Sequence, residues 1–385
     1  NVIATPYMNF NGGVSMKAYV YHGPDQKGAW EEVPNPTILE PTDVIARVDT
    51  TTICGTDLHI LKGDCPEVEH GRILGHEAVG TITEVGSAVT DLKVGDRIII
   101  PAVTSCGKCS YCKANRPSHC QTVGGVGWIF GYMIDGTQAE YVRVPYAETS
   151  VHLVPEGLSD EDVLFLTDAL PTGFEMGILN GNTKPGDTVA VIGAGPVGLG
   201  AIMTANLCGA GRVITVDFDE NRMDKALELG ATDKVNAADP DFIEKIKALS
   251  PDGLGVDVAI EAVGVPQTFE TCTKIVRPYG NIANAGVHGK PVELPLNTMW
   301  ISNVNINMGL VNCNTVGNLL NMVRSGRLNA KAMATHHFSF DQFEEAYDVF
   351  GHATEHNAVK VVIAREDAPH ASVGTHTVKV PELLC

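Results

Sequence analysis

The chain has 385 residues, too many for one ordinary core, so two domains are expected. At 44% hydrophobic and 19% charged residues with 40 glycines, the composition is that of a soluble globular protein full of tight turns. A formal charge of −19 gives poor electrostatics for nucleic acid, and no apolar run approaches the ~20 residues that cross a bilayer, so neither nucleic acid nor membrane is an expected partner.

Residues 1–15 carry no Lys or Arg, unlike a secretory n-region or an Arg-rich transit peptide, and read as an extension. The folded part is expected to open at Met16-Lys17-Ala18-Tyr19-Val20. Residues 16–165 read as short strands broken by Gly and Pro, at 44–48, 79–85, 97–101 and 141–144. Turn signals such as Val94-Gly95-Asp96-Arg97 separate them, which favours a barrel-like β domain with few helices.

Two stretches of this domain carry chemistry: Cys54-Gly55-Thr56-Asp57-Leu58-His59 and Gly75-His76-Glu77. A single buried Cys or His is most often packing. Here Cys54 and His76 pair a thiolate with an imidazole, as a metal requires. The hydroxyl of Thr56 and the imidazole of His59 follow close enough to relay a proton from an oxygen on that metal, and Glu77 is placed as a carboxylate behind His76. Cys106, Cys109, Cys112 and Cys120 form a second set, spaced C-x2-C-x2-C-x7-C. Four thiolates so spaced surround one Zn²⁺ with no open position, which makes this site structural; disulfides are the alternative, and tight C-x2-C loops suit them poorly. Thiolate clusters point to a reducing compartment, the cytoplasm.

Asp168 is the acid in an otherwise uncharged stretch, residues 164–174. A helix N-cap is one reading of it. No cysteine lies between Cys120 and Cys208, and carboxylate oxygen is an acceptable zinc ligand, so Asp168 is the expected third ligand beside Cys54 and His76.

Beyond Gly186-Asp187, an apolar strand at 188–192 runs into Gly193-Ala194-Gly195-Pro196-Val197-Gly198 and a helix at 199–208. Strand, glycine loop and helix in that order fit a dinucleotide pyrophosphate held at a helix N-terminus. A second strand at 212–216 ends in Asp217, where a carboxylate meets the adenosine ribose hydroxyls. Asp217, Asp219 and Glu220 would repel a 2′-phosphate against the single charge of Arg222, so NAD is expected over NADP. Strands and helices then alternate: helices at 220–229, 242–249 and 267–276, strands at 234–235, 256–260, 281–285 and 304–308. That is a doubly wound α/β sheet of about six strands. Helices at 316–324 and 343–350 and a strand at 359–363 return to the first domain, and the tail past Arg365 reads as wrapping over a surface or partner.

Together, the Cys54–His59 and Gly75–Glu77 motifs, the four-cysteine lobe, the glycine loop and Asp217 resemble the zinc-dependent alcohol dehydrogenases of the medium-chain dehydrogenase superfamily, over about residues 16–365. Alcohol dehydrogenase is itself the stock example of a Cys2His zinc site. The third ligand at Asp168, with Pro101-Ala102-Val103-Thr104 and Trp128, resembles the bacterial and archaeal-type secondary-alcohol branch. The lobe cysteines and Asp217 depart from many members of that branch, which lack the structural zinc and prefer NADP. The resemblance implies a GroES-like β-rich catalytic domain over 16–172 with its lobe at 104–121, a Rossmann domain over 173–312, and a return over 313–385. It implies two zinc ions per subunit, with Glu77 assisting ligand exchange and Thr172 near the nicotinamide. Ala102, Val103, Trp128 and Leu310 would line the alcohol pocket. Pairing of cofactor domains into a homodimer or homotetramer is implied as well.

The expected reaction is reversible oxidation of small primary or secondary alcohols to aldehydes or ketones, by hydride transfer from a zinc-bound alkoxide to NAD. A polyol, threonine or formaldehyde-type dehydrogenase of the same superfamily is the alternative. A non-catalytic NAD-binding structural protein is the alternative of another class.

Overall fold

The computed structural model describes residues 15–24 and 26–368. The expected extension before Ser15 and the tail beyond Ala368 lie outside the described residues. Strand β1 (Ser15–Tyr21) pairs antiparallel with β2 (Ala29–Pro34), and Ser15 already pairs with Pro34, one residue ahead of the expected start of the fold.

The first domain continues through β3 (Val44–Thr52), β4 (Arg72–Ile73), β5 (Ala78–Val85), β6 (Arg97–Ile100), β7 (Tyr141–Val144) and β8 (His152–Leu153). The second contributes β9 (Thr188–Ile192), β10 (Arg212–Asp217), β11 (Asp233–Asn236), β12 (Val256–Glu261), β13 (Val276–Asn284) and β14 (Asn305–Met308). The chain then returns with β15 (Ala334–Ser339) and β16 (Lys360–Ala364). A three-stranded sheet has the order β2-β1-β4, and a seven-stranded sheet runs β15-β16-β3-β5-β6-β8 with β7 also on β3. Antiparallel pairing of Val362 with Thr52 is what closes the return.

The second sheet has the order β11-β10-β9-β12-β13-β14, parallel throughout. Its central strand Thr-Val-Ala-Val-Ile is buried along its whole length, as a parallel strand covered on both faces must be. Strand order reverses between β9 and β12, and a ligand crevice opens there, outside the carboxyl ends. The helix expected at 267–276 ends at Ile275, and Val276 already opens β13. Pro278 disfavours helical backbone at Arg277, so the chain cannot carry the helix further.

Among the helices that the hydrophobic pattern does not show, two bear on the site. One, Gly55–Leu61, starts at Cys54, whose N–H donates to Asp57 Oδ2 at 2.9 Å. The other is a π-helix, Gly173–Leu179, which follows the short helix Ala169–Thr172. These last two pack on the glycine-loop helix Pro196–Leu207 backbone to backbone. A Cβ on Gly173 would stand 2.4 Å from the Ala201 nitrogen, and one on Gly200 2.6 Å from the Ala169 oxygen. One core cluster joins Val79, Ile99 and Val103 of the first domain to Val189, Val191 and Ile260 of the second. Among the described residues, no helix is long and apolar enough to cross a membrane.

Candidate active site

Three chain segments converge at the junction of the two domains. Cys54 follows β3, whose threonines are tied inward: Thr51 Oγ1 donates to the Glu77 carbonyl at 2.7 Å and Thr52 Oγ1 to the Val361 carbonyl at 2.6 Å. His76 and Glu77 lie just before β5, and Asp168 opens the helix Ala169–Thr172. Cys54 Sγ and His76 Nε2 each lie 3.5 Å from Asp168 Oδ2. Ligand atoms about 2.0–2.3 Å from a tetrahedral ion stand roughly 3.3–3.8 Å apart, so the spacing fits zinc. One donor atom each from Cys54, His76, Glu77 and Asp168 lies within 4.8 Å of the others.

The charges agree with that use. Burial works against a protonated His76, yet its hydrogen bonds to Asp168 and Cys54 outweigh burial and hold its pKa well above the ordinary value. Burial would raise the Asp168 carboxyl, but the His76 hydrogen bond and charge bring it down to about 2. Burial and then the Asp168 charge push the Cys54 thiol up. Protons thus occupy the cluster where a cation would sit. On its far side, His76 Nδ1 faces Asp57 Oδ1 at 3.8 Å, and both buried atoms lack a hydrogen-bond partner. A histidine that ligates a metal ordinarily donates its other N–H to such a carboxylate.

Glu77 is held by a residue the sequence reading missed. Lys360 Nζ stands 2.6 Å from Glu77 Oε1 and donates to the Ile53 carbonyl at 3.0 Å, and both side chains are 1% exposed. Thr167 Oγ1 donates to the other Glu77 oxygen at 3.3 Å. Lys360 is the first residue of a returning strand, far away in sequence, and only its place beside apolar Val-Val-Ile hinted at burial. Asp57 stood inside a quoted motif without a role; the helix that turns it back on Cys54 and His76 supplies one.

Thr56 Oγ1 lies 3.8 Å from Cys54 Sγ, and Thr172 Oγ1 donates to Asp168 Oδ1 at 2.9 Å. His59 is exposed, with Nδ1 2.8 Å from Asp64 Oδ2. Trp128 meets the His76 ring edge to face at 5.7 Å and stacks on Tyr132. Leu310 is half-buried, while Ala102 and Val103 are buried outright, Val103 within the shared core.

In the lobe, Cys109 Sγ lies 3.4 Å from Cys112 Sγ and 4.0 Å from Cys120 Sγ, and Cys106 Sγ is 3.9 Å from Cys112 Sγ. Those separations suit four sulfurs about 2.3 Å from one ion. The described cysteines are free thiols, so the disulfide alternative has no support among them. Burial pushes the Cys106 thiol up, but bonds from Thr122 and from the Lys108 and Cys109 N–H groups bring it down to about 6. Burial and the Cys109 thiol push Cys112 up to about 12.

In the glycine loop, Gly193 has φ +101°, and a Cβ on Gly198 would stand 1.9 Å from the Gly193 carbonyl oxygen, so neither position tolerates a side chain. A Cβ on Gly195 meets nothing within 4 Å, leaving open space at the N-terminus of the helix Pro196–Leu207. A pyrophosphate fits such a cradle. Asp217 Oδ2 accepts the Ala194 N–H at 2.7 Å, and Oδ1 accepts those of Phe218 and Asp219. Arg222 Nε lies 3.9 Å from Asp219 Oδ2.

Fold and site together have the form of a two-domain dehydrogenase, with a glycine loop suited to a dinucleotide and a cluster of sulfur, nitrogen and oxygen donors that could hold a metal ion. Residues 40–156 match the alcohol dehydrogenase GroES-like domain, and residues 196–325 match the zinc-binding dehydrogenase family. An alcohol dehydrogenase of Cupriavidus necator is 38% identical, covering 90% of this chain and 98% of the relative. The solved zinc-dependent alcohol dehydrogenase 2 of Streptococcus pneumonia superposes with a TM-score of 0.86 at 48% identity, over 91% of this chain and 99% of that one. An NADP-dependent isopropanol dehydrogenase of Entamoeba histolytica is 35% identical over 80% of this chain and 85% of its own. The chain belongs to the zinc-type alcohol dehydrogenases of the medium-chain dehydrogenase superfamily.

Proposed function

We propose that this alcohol dehydrogenase uses NAD and a zinc ion to interconvert small primary or secondary alcohols with aldehydes or ketones. One observation carries the reading. Cys54 Sγ and His76 Nε2 each stand 3.5 Å from Asp168 Oδ2, and the segment that Asp168 opens packs, at Ala169 and Gly173, directly onto Gly200 and Ala201 of the cofactor-loop helix.

Zinc, when bound, supplies a Lewis acid that brings the alcohol pKa toward neutrality, and NAD supplies the hydride acceptor. Cys54, His76 and Asp168 would hold the ion, with Asp57 orienting His76 through Nδ1. Thr172 steadies Asp168 through its hydroxyl. Thr56 Oγ1 takes up the alcohol proton and passes it toward His59, whose Nε2 is left to carry it to solvent because Nδ1 is engaged by Asp64. Lys360 holds Glu77 from behind. Trp128 and Leu310 would form the pocket wall, with Val103 and Ala102 packed underneath. The four lobe cysteines would hold the second, structural ion.

Free N–H groups at the start of the helix Pro196–Leu207 would receive the pyrophosphate. Asp217, with Asp219 and Glu220 beside it, favours the ribose of NAD over a 2′-phosphate. Arg222 is already turned to Asp219, which weakens it as a phosphate ligand. Nine free cysteines among the described residues support a reducing compartment such as the cytoplasm. The expected homodimer or homotetramer would form through β14, an exposed strand at the edge of its sheet.

The test is an NAD-linked rate panel of short primary and secondary alcohols, run beside elemental analysis. Activity that vanishes in Cys54→Ala, with about two zinc per chain falling to about one, is the expected outcome. Full activity in that variant sinks the scheme. In Asp217→Gly the NAD:NADP ratio of kcat/KM should fall at least tenfold; an unchanged ratio removes the cofactor assignment.

A further inference from the structure

The chain crosses between the domains twice. It enters the cofactor domain through the π-helix Gly173–Leu179, and it leaves through an irregular strap, 309–315, that follows β14. The wide turns are real i→i+5 bonds: Asn180 N–H donates to the Glu175 carbonyl at 3.0 Å and Thr183 N–H to the Ile178 carbonyl at 3.1 Å. Such turns are rare and concentrate where a side chain must be aimed.

The side chain aimed here is Glu175, a buried carboxylate with no part in the chemistry above. Its Oε2 accepts the Asn312 N–H at 2.7 Å, and its Oε1 accepts the Thr315 N–H at 3.0 Å and the Thr315 hydroxyl at 2.8 Å. All three partners are used as donors, and both carboxylate oxygens are used. Between Asn312 and Thr315 lies Cys313, a non-glycine residue at φ +58°, a conformation that persists only where its surroundings impose it. On its other side the strap is gripped by the cysteine lobe. Asn312 Oδ1 accepts the Ser118 hydroxyl at 2.7 Å and its N–H at 3.3 Å, and Asn314 Nδ2 donates to the Asn115 carbonyl at 2.9 Å. The Cys313 thiol then rests 3.9 Å from the carbonyl of Thr167, the neighbour of Asp168.

We propose that Glu175 is a positioning residue: it ties the outgoing strap to the helical segment that begins at Asp168, and so sets the pocket wall at Leu310 against the donor cluster. The proposal rests on the alcohol reading of that cluster. It explains why a carboxylate, and not an amide, stands at this place. A Gln of the same shape presents one oxygen and one NH₂, so either Asn312 or Thr315 is left with donor facing donor.

Glu175→Gln and Thr315→Val are compared with the parent in two measurements. The first is the rate at which iodoacetamide labels Cys313, which is only 6% exposed, read by peptide mass spectrometry. The second is KM and kcat over the alcohol panel, with NADH binding as a control. Loss of a hydrogen bond to a charged group corresponds to roughly a tenfold or larger effect. Glu175→Gln should therefore label Cys313 about tenfold faster and raise KM for branched alcohols about tenfold, with kcat and NADH affinity held within about threefold. Thr315→Val, which removes one of three bonds, should move both readouts the same way by less, and it decides the matter if Glu175→Gln does not accumulate. Unchanged labelling of Cys313 overturns the tether. Faster labelling with an unaltered KM profile, or a uniform loss of kcat, KM and NADH binding, overturns the pocket-wall role. A parent inactive on every alcohol that still protects Cys313 in a Glu175-dependent way sinks the alcohol reading and leaves the tether standing.

Discussion

Replacing Lys360 by Met removes one charge of the Glu77–Lys360 pair while keeping most of the side-chain volume. Both partners are 1% exposed and their charged atoms are 2.6 Å apart. Breaking such a pair from one side leaves a buried, unpaired charge and costs about 3–5 kcal/mol. The Ile53 carbonyl also loses its Nζ donor. Against a total stability of about 5–15 kcal/mol, that loss is large. The loss also has a sign in pH. Burial already pushes the Glu77 carboxyl up, and the Lys360 charge is the foremost influence opposing it. Without Lys360 the carboxyl rises further, so the folded state binds a proton that the unfolded state has released. Stability then falls as pH rises from the ordinary Glu value through the raised one. Urea unfolding of metal-free parent and variant, followed by the fluorescence of Trp30 and Trp128, both in the first domain, measures this. Glu77→Gln in the Lys360→Met background should recover at least about 1 kcal/mol, since a neutral pair leaves no stranded charge. A Lys360→Met protein within about 0.5 kcal/mol of the parent, or one that Glu77→Gln does not improve, refutes the reasoning.

Four further outcomes are expected. Zinc entering the Cys54–His76–Asp168 set should release about two protons near neutral pH, because the Cys54 thiol and His76 are both held protonated beforehand; dye titration in weak buffer measures this as the difference between parent and a variant lacking the set, and no release contradicts it. In the metal-free protein, the raised His76 pKa gives stability that is lost as pH climbs through it, and the lowered Asp168 pKa gives stability lost as pH falls toward about 2; loaded protein should lack the alkaline loss. Gly173→Ala places a Cβ 2.4 Å from the Ala201 nitrogen, so kcat/KM should fall by about tenfold or more as donors and cofactor loop are pushed apart, whereas Gly289→Ala, with nothing within 4 Å, should be silent. Finally, Met308→Lys on the exposed edge strand β14, where Met308 is 66% exposed, should shift the parent's oligomer toward monomer in sedimentation; an oligomer indifferent to the change would assign association elsewhere.

Much of the architecture was written locally. A short apolar run such as Thr-Val-Ala-Val-Ile, rich in β-branched residues and bounded by glycines, reads as a covered strand, and the turn after it needs glycine at 193 and 198, where a Cβ would strike the neighbouring chain. The lobe was equally legible, because its four thiols lie within one short stretch and need no distant partner. Cys54 and His76 stood out as candidate donors by residue type and Asp168 by the absence of another thiol in its region, and the fold brings their donor atoms within 4.8 Å of one another. The helix Gly55–Leu61 escaped notice because it is short and its start is marked by Cys54, which is no standard cap.

What the chain alone determined, then, is which atoms are available: sulfur, imidazole and carboxylate donors, a glycine-rich loop, and an acid after the second strand. What only the folded structure decided is which of them share an environment. Lys360 and Glu77 are neighbours because β16 returns to β3, and Glu175 meets Asn312 and Thr315 because a π-turn redirects it. Such partners carry no periodic or spacing signal, since a buried charge is tolerated only through contacts that the long return of the chain creates.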